Sequence, residues 1–251
     1  DSISSTTDTV FRVYYNGTTT ADYVVTDTYG AQNVWTNDYE GVWHMDTTLD
    51  DSTGRSGETN NGTVATTSSQ MGSGRSFNGT SDYIQTTLTH FLNATNSTVS
   101  FWANPDTVDA ADDHMIIWEG EVVGNGGGAT HETHVNFLNG NDVRQFFEAD
   151  TDDLTNPDFN IIATSTFQYI AATMADIDTS TTDGEIYHNG VSVGTDSTTI
   201  APLRSNFDTA MRFGRPGVAV RFFDGVLDEI RVATSVRAVA WIGAEYTNQA
   251  T

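Results

Sequence analysis

The chain has 251 residues, no cysteine and a formal net charge of −24. That length suits one large β-sandwich or two small domains and buries enough apolar surface to fold without staples; with no thiols there are no disulfides, and the redox compartment cannot be read. Uniform acidity excludes binding to a nucleic-acid backbone, which would be repelled, and no apolar run of about eighteen residues is present to enter a membrane.

All ten basic residues are arginine, and Asp outnumbers Glu. This is the composition of a halophilic surface, because concentrated ions screen like-charge repulsion over a few ångströms. A secreted domain kept apart by self-repulsion carries the same signature. The first residues, Asp1 to Ser5, have neither a basic n-region nor an apolar h-region, as in a mature form or a fragment.

Short apolar and β-branched runs recur along the chain, separated by turn residues. Thr9 to Tyr15, Gly41 to Asp46 and Ser76 to Ile84 are the first of them. Between the last two, Thr47 to Ser76 is rich in Gly, Ser, Thr, Asn and Asp, which predicts mostly loop with one short strand at Thr63 to Ala65. Thr98 to Ala103 is the next strand. Gly124 to Gly128 predicts a flexible loop, and Asp150 to Asp158 an exposed acidic connection. Glu185 to Gly194 carries Asn189-Gly190 between two β runs, the strongest short hairpin signal, since both turn positions accept positive φ. Asp183-Gly184-Glu185 also reads as a hairpin turn. The one helical stretch is Val236 to Tyr246, with Ser235 as its cap. Many short strands and a single short helix make the chain all-β: an antiparallel β-sandwich with a short C-terminal helix.

Five stretches then occur in a telling order: Gly41-Val42-Trp43-His44-Met45-Asp46, Ser76-Phe77-Asn78-Gly79-Thr80-Ser81-Asp82-Tyr83-Ile84, Thr98-Val99-Ser100-Phe101-Trp102, Ile186-Tyr187-His188-Asn189-Gly190, and Gly225-Val226-Leu227-Asp228-Glu229-Ile230-Arg231. Together they resemble the laminin G-like jelly roll of the concanavalin A-like lectin/glucanase superfamily, from about Gly41 to the end. The flanks, Val13 to Gly17 with Asp38 to His44, and Ala233 to Gln249, resemble a module that precedes this jelly roll in prokaryotic surface proteins and the tail that follows it. The resemblance implies residues 41–251 as the jelly roll. Residues 1–40 would be peripheral strands or the remnant of an upstream module.

The resemblance also implies a structural Ca2+. Its expected ligands are Asp82 and Asp228, with Asp46 brought close by the pairing of the opening and closing strands. Asn78 stands where the family usually has Asp, which lowers the charge of the site. Calcium takes six to eight oxygens, and a Gly-x-x-Asp turn supplies both carboxylate and carbonyl. The alternative is that Asp82 closes an Asx turn and Asp228 pairs with an arginine. Glu229 is placed on the opposite face from Asp228 by strand alternation.

Other motifs are weaker. His131-Glu132-Thr133-His134 is one residue short of a zinc-protease helix. Glu119-Gly120-Glu121 lacks the central and third acids of a laminarinase-like catalytic strand, so glycoside hydrolysis is disfavoured and no catalytic residue is assigned. Among the tryptophans, Trp118 is the candidate sugar platform at the edge of the Gly-rich loop. Trp43 and Trp102 are expected in the core, and Trp241 buried on the helix. Asn16, Asn61, Asn78, Asn93 and Asn96 each begin an Asn-x-Ser/Thr sequon.

The expected function is a noncatalytic binding or adhesion module at an extracellular or cell surface, calcium-stabilised, with a polysaccharide or surface glycoprotein as partner. The alternative is a structural subunit of a surface filament or virion spike, which would self-associate through strand edges.

Overall fold

The computed structural model describes residues 24–28, 30–89, 95–108, 114–120, 132–138, 142–148, 153–155, 159–176, 181–198, 209–217 and 221–250. These form two antiparallel sheets packed face to face, with one helix outside them. The first sheet contains β1 (Tyr39–Trp43), β3 (Ala65–Ser69), β4 (Gly72–Asn78), β6 (Ser97–Pro105), β12 (Gln168–Ala175), β13 (Thr182–His188), β14 (Val191–Thr198) and β16 (Asp224–Ala233). The second contains β2 (Glu58–Asn61), β5 (Tyr83–Thr86), β7 (His114–Gly120), β8 (Glu132–Leu138), β9 (Asp142–Glu148), β10 (Asp153–Thr155), β11 (Phe159–Asn160) and β15 (Arg212–Phe213). The first sheet runs β14-β13-β12-β6-β16-β4-β3, with β1 also on β16; the second runs β10-β9-β8-β7-β15-β5-β2, with β11 on β9. The helix, α1, spans Val239–Gln249.

Period-two alternation builds the core. Phe101, Ile170, Ile186, Leu227 and Ile230 of the first sheet meet Ile84, Ile117, Val135, Phe137 and Phe213 of the second. The residues between them in sequence face the other way. On β6, β12 and β13, Trp102, Tyr169 and Tyr187 stand on the outer face, where they form a second small core with Ile242 of α1. Trp102 stacks on Tyr246 at 5.8 Å and donates its indole N–H to Gln249 Oε1 at 2.5 Å. The helix is therefore a lid on the outside of the first sheet.

Strand β16 breaks its own alternation. Its register against β6 shifts between Asp228 and Arg231, and Glu229 has φ of 49°. Leu227 and Ile230, three apart, both reach the core. The bulge supplies one extra residue. Asp228 and Glu229 consequently both fall on the face away from the core, which corrects the opposite-face expectation.

The Asn189-Gly190 turn forms as expected, with φ of 50° and 77° joining β13 to β14. Asp183-Gly184-Glu185, however, lies inside β13 and is no turn. Part of the acidic stretch after Asp150 forms β10. A boundary at residue 40 falls within β1, because Tyr39 already pairs with Ala233. The helix starts three residues later than predicted, with Ala238 and not Ser235 at its N-cap. The Thr98 hydroxyl explains the delay. It donates to the Ser235 carbonyl and accepts from the Arg237 N–H, holding the chain extended up to the cap. The Thr9 to Tyr15 run and the Gly124 to Gly128 loop lie outside the described residues.

The largest difference is in Thr47 to Ser76, which holds β2, β3 and most of β4. Its Ser and Thr side chains alternate between half-buried and exposed on an edge hairpin, so polar composition concealed the strand period. The irregular part, from Asp50 to Gly57, is organised by one side chain. Asp51 is 5% exposed. Its carboxylate accepts from the backbone N–H of Val42, Thr53, Arg55 and Ser56 at 2.9–3.0 Å and from the Thr53 hydroxyl at 2.5 Å. Replacing Asp51 by Ala would orphan these donors. The expected result in a circular-dichroism melt is a loss of about 2–4 kcal/mol, or roughly 5–10 °C in Tm.

Candidate functional site

An open groove of about 730 Å³ lies beside α1, lined by Trp35, Tyr39, Arg231, Ala238, Ala240, Trp241, Ala244, Glu245, Asn248 and Gln249. Three features of the chain create it. The 3-10 turn Ala31–Val34 delivers Trp35 to the start of β1, where its ring meets Tyr39 edge-on at 5.5 Å. The helix turns Ile242 and Tyr246 down onto the sheet, which leaves Trp241, one position out of phase, 42% exposed. Ala240 and Ala244, four apart, leave shallow space on the same helix.

The groove is fixed by a chain of charges beneath it. His44 Nδ1 lies 2.7 Å from Glu229 Oε1, and the other Glu229 oxygen lies 2.5 Å from Arg231 Nη2. Arg231 Nη1 contacts Glu245 Oε1, and Glu245 Oε2 accepts from the Tyr169 hydroxyl at 3.0 Å. Burial pushes the Tyr169 phenol up to about 12, so it remains a neutral donor. Arg231 and Glu245 also stitch β16 to α1. Two guanidinium groups cover ring faces: Arg231 lies 5.6 Å from the Trp35 ring, and Arg237 lies 4.4 Å from Tyr39 and 5.1 Å from Trp241.

The residues expected from sequence lie elsewhere. Trp118 is 1% exposed, and its register partner Arg212 stacks on it at 5.4 Å. It is covered, so its indole is not a platform open to solvent. Trp43 and Trp102 are buried as expected, whereas Trp241 is not. His131 lies outside the described residues, and Glu132 to His134 begin strand β8, so the helix that a zinc-protease motif needs is not there. Glu119 is buried within β7, while Glu121 lies outside the described residues. Of the sequons, Asn16 and Asn93 lie outside the described residues. Asn61 and Asn96 are half-buried, and Asn78 is exposed.

The sequence matches the laminin G-like profile described as the Concanavalin A-like lectin/glucanases superfamily over residues 78–243. The chain belongs to this laminin G-like family. No curated protein sequence matches it. Among solved structures it is similar to Domain 4 of AbnA, a GH43 extracellular arabinanase from Geobacillus stearothermophilus, in complex with arabinotriose. That match has a TM-score of 0.64 and 17% identity, covering 85% of this chain and 98% of the other. It is also similar to the binding domain of botulinum neurotoxin serotype D, with a TM-score of 0.64 and 15% identity over 85% of this chain and 52% of that one. The binding domain of Paraclostridial Mosquitocidal Protein 1 gives 0.63 and 11%, over 84% and 52%. The chain spans about half the length of the two toxin domains.

Each of the four calcium ligands implied by the family resemblance makes local hydrogen bonds in this laminin G-like domain. Asn78 Oδ1 already accepts from the N–H groups of Thr80, Ser81 and Asp82 at 3.0, 2.9 and 3.2 Å, more than its two lone pairs serve well. Asp82 is buried but closes no Asx turn of its own; it reaches to the segment between β2 and β3, where Oδ1 accepts from the Thr63 N–H at 2.7 Å and the Thr63 hydroxyl lies 3.2 Å from both oxygens. Asp46 is exposed and accepts from the Thr47 N–H at 2.6 Å. Asp228 is 0% exposed, and its Oδ2 accepts from the Met71 N–H at 2.9 Å, tying β16 to the β3–β4 hairpin and not to an arginine. Among the described residues no three carboxylates or imidazoles converge on one point. These side chains are used as local struts.

Burial pushes the Asp228 carboxyl up to about 6 from an ordinary 3.8, with the Glu229 charge adding to the effect. A folded value above the unfolded one favours the neutral acid. Its contribution to stability is fully present below about pH 4 and is lost as pH rises through about 6. Asp228→Asn should therefore raise stability at pH 8 by on the order of 2 kcal/mol, with a higher Tm, and match the wild type near pH 4. Melts in EDTA and in millimolar calcium should superimpose for both proteins. A calcium-dependent rise that the Asn variant abolishes would restore a metal at this position.

Proposed function

We propose that this domain is a noncatalytic, extracellular glycan-binding module, and that the groove beside α1 is its binding site. The observation that carries the reading is that Trp35 and the exposed Trp241 line one groove together with Ala238, Ala240 and Ala244 and the amides of Asn248 and Gln249. Concave sites of this kind take ligands through flat apolar contact, and a few fixed polar groups orient them. Indole faces suit the C–H faces of a sugar ring, and an amide such as Asn248 suits its hydroxyls. The fold neighbour that holds arabinotriose, and the toxin binding domains of the same fold, support a binding role. Fold likeness alone does not carry it, because one sandwich serves many functions.

The residues at the groove are also poorly suited to hydrolysis. Two free carboxyl groups facing each other are needed for glycosidic cleavage. Here Glu229 and Glu245 both bridge to Arg231.

The test is calorimetric titration with a panel of soluble oligosaccharides and affinity electrophoresis in polysaccharide gels. At least one glycan should bind, and Trp241→Ala should weaken it about tenfold or more while leaving Tm nearly unchanged, since the ring is partly exposed. No reducing ends should appear on prolonged incubation. Binding that survives both Trp241→Ala and Trp35→Ala would place the site elsewhere.

A further inference from the structure

We infer that the groove selects uncharged saccharides and rejects uronates, sulfated sugars and amino sugars alike; the inference rests on the glycan-binding reading above. Among the described residues, each charged group at the groove already holds an ion pair or a hydrogen bond. Arg231 is the one cation lining it among the described residues; its two Nη atoms are held by Glu229 and Glu245, and its Nε is buried without a hydrogen-bond partner. Glu245, the one anion lining it among the described residues, uses one oxygen for Arg231 and the other for the Tyr169 hydroxyl. Arg237 gives Nη2 to the Asn37 carbonyl and lies against Tyr39 and Trp241.

Among the described residues an anionic sugar would therefore meet only a guanidinium whose Nη atoms already pair with carboxylates, and it would approach a chain of net charge −24. A cationic sugar would find, among the described residues, only the Glu245 carboxylate, both of whose oxygens are in use. A guanidinium already lies near each indole, Arg231 by Trp35 and Arg237 by Trp241, so a cationic sugar stacking there would meet like charge. What remains for a ligand is neutral: the Asn248 carboxamide, the two indoles and the alanines. Each is matched by hydroxyls and C–H faces.

The experiment titrates the full chain with matched neutral, uronate and amino oligosaccharides at about 0.1 and about 1 M NaCl. The neutral ligand should bind with a Kd that changes by less than about twofold between the two salts, and at least about tenfold more tightly than either charged form. Asn248→Ala, at an exposed position, should weaken the neutral ligand several-fold. Glu245→Gln should narrow the gap between uronate and neutral ligand, because Arg231 then keeps a single counter-charge. Tighter, salt-sensitive binding of a uronate or amino sugar that depends on Trp241 would overturn the inference while leaving the glycan reading standing. Absence of Trp241-dependent binding for every saccharide would overturn both.

Discussion

The bulge at Glu229 is the constraint on which the rest of the arrangement depends. Strand β16 lies at the centre of the first sheet, pairing with β6 on one side and with β4 and β1 in succession on the other. A regular strand there would turn alternate residues inward throughout. The extra residue keeps Leu227, Ile230 and Val232 in the core while placing Asp228, Glu229 and Arg231 outside it. A non-glycine residue at φ of 49° costs roughly 1–2 kcal/mol. The contacts it permits offset that cost: Asp228 to the β3–β4 hairpin, and Glu229 to His44 and Arg231.

From that strand the architecture extends outward by charge. Arg231 reaches Glu245 on α1, and Tyr169 reaches the same carboxylate from β12. Buried ion pairs add little net stability against apolar replacements, but they fix geometry. Here the Arg231–Glu245 pair joins the helix to β16, alongside the packing of Ile242 and Tyr246 and the Trp102–Gln249 hydrogen bond. With Ile242 and Tyr246 directed inward, Trp241 is left beside Trp35 at the rim of a groove. Among the described residues the cation lining this groove, Arg231, pairs with two carboxylates, and this pairing underlies the inference of a neutral ligand.

Much of the fold was legible in the residues. Five ordered motifs implied the jelly roll, and Asn189-Gly190 marked its hairpin because few other pairs accept two positive φ values. The site was less legible, for identifiable reasons. Trp241 looked buried because an Ala-rich helix offers little contrast in its apolar stripe; laying the stripe on Ile242, Tyr246 and Gln249 would have put it at the flank. Trp35 belongs to no periodic element and gave no signal. Trp118 looked exposed beside a Gly-rich run, yet Arg212, distant in sequence, covers it. Asn78 did mark a turn, but sequence cannot tell a carboxylate that holds a neighbouring segment, as Asp82 does, from one that awaits a metal. The bulge was invisible because alternation was assumed through Asp228 and Glu229.

The chain has five tryptophans, and their indole N–H signals report separately on the core and the groove. Trp43, Trp102 and Trp118 are at most 2% exposed, whereas Trp241 is 42% exposed. The most direct measurement is a proton–nitrogen correlation spectrum of the labelled domain, titrated with a neutral oligosaccharide. The account predicts saturable shifts of the Trp35 and Trp241 indoles together with the Asn248 amide, and unmoved signals from the three buried indoles. Shifts centred on Trp118, or on the loop from Asn78 to Asp82, with Trp241 unmoved, would contradict it.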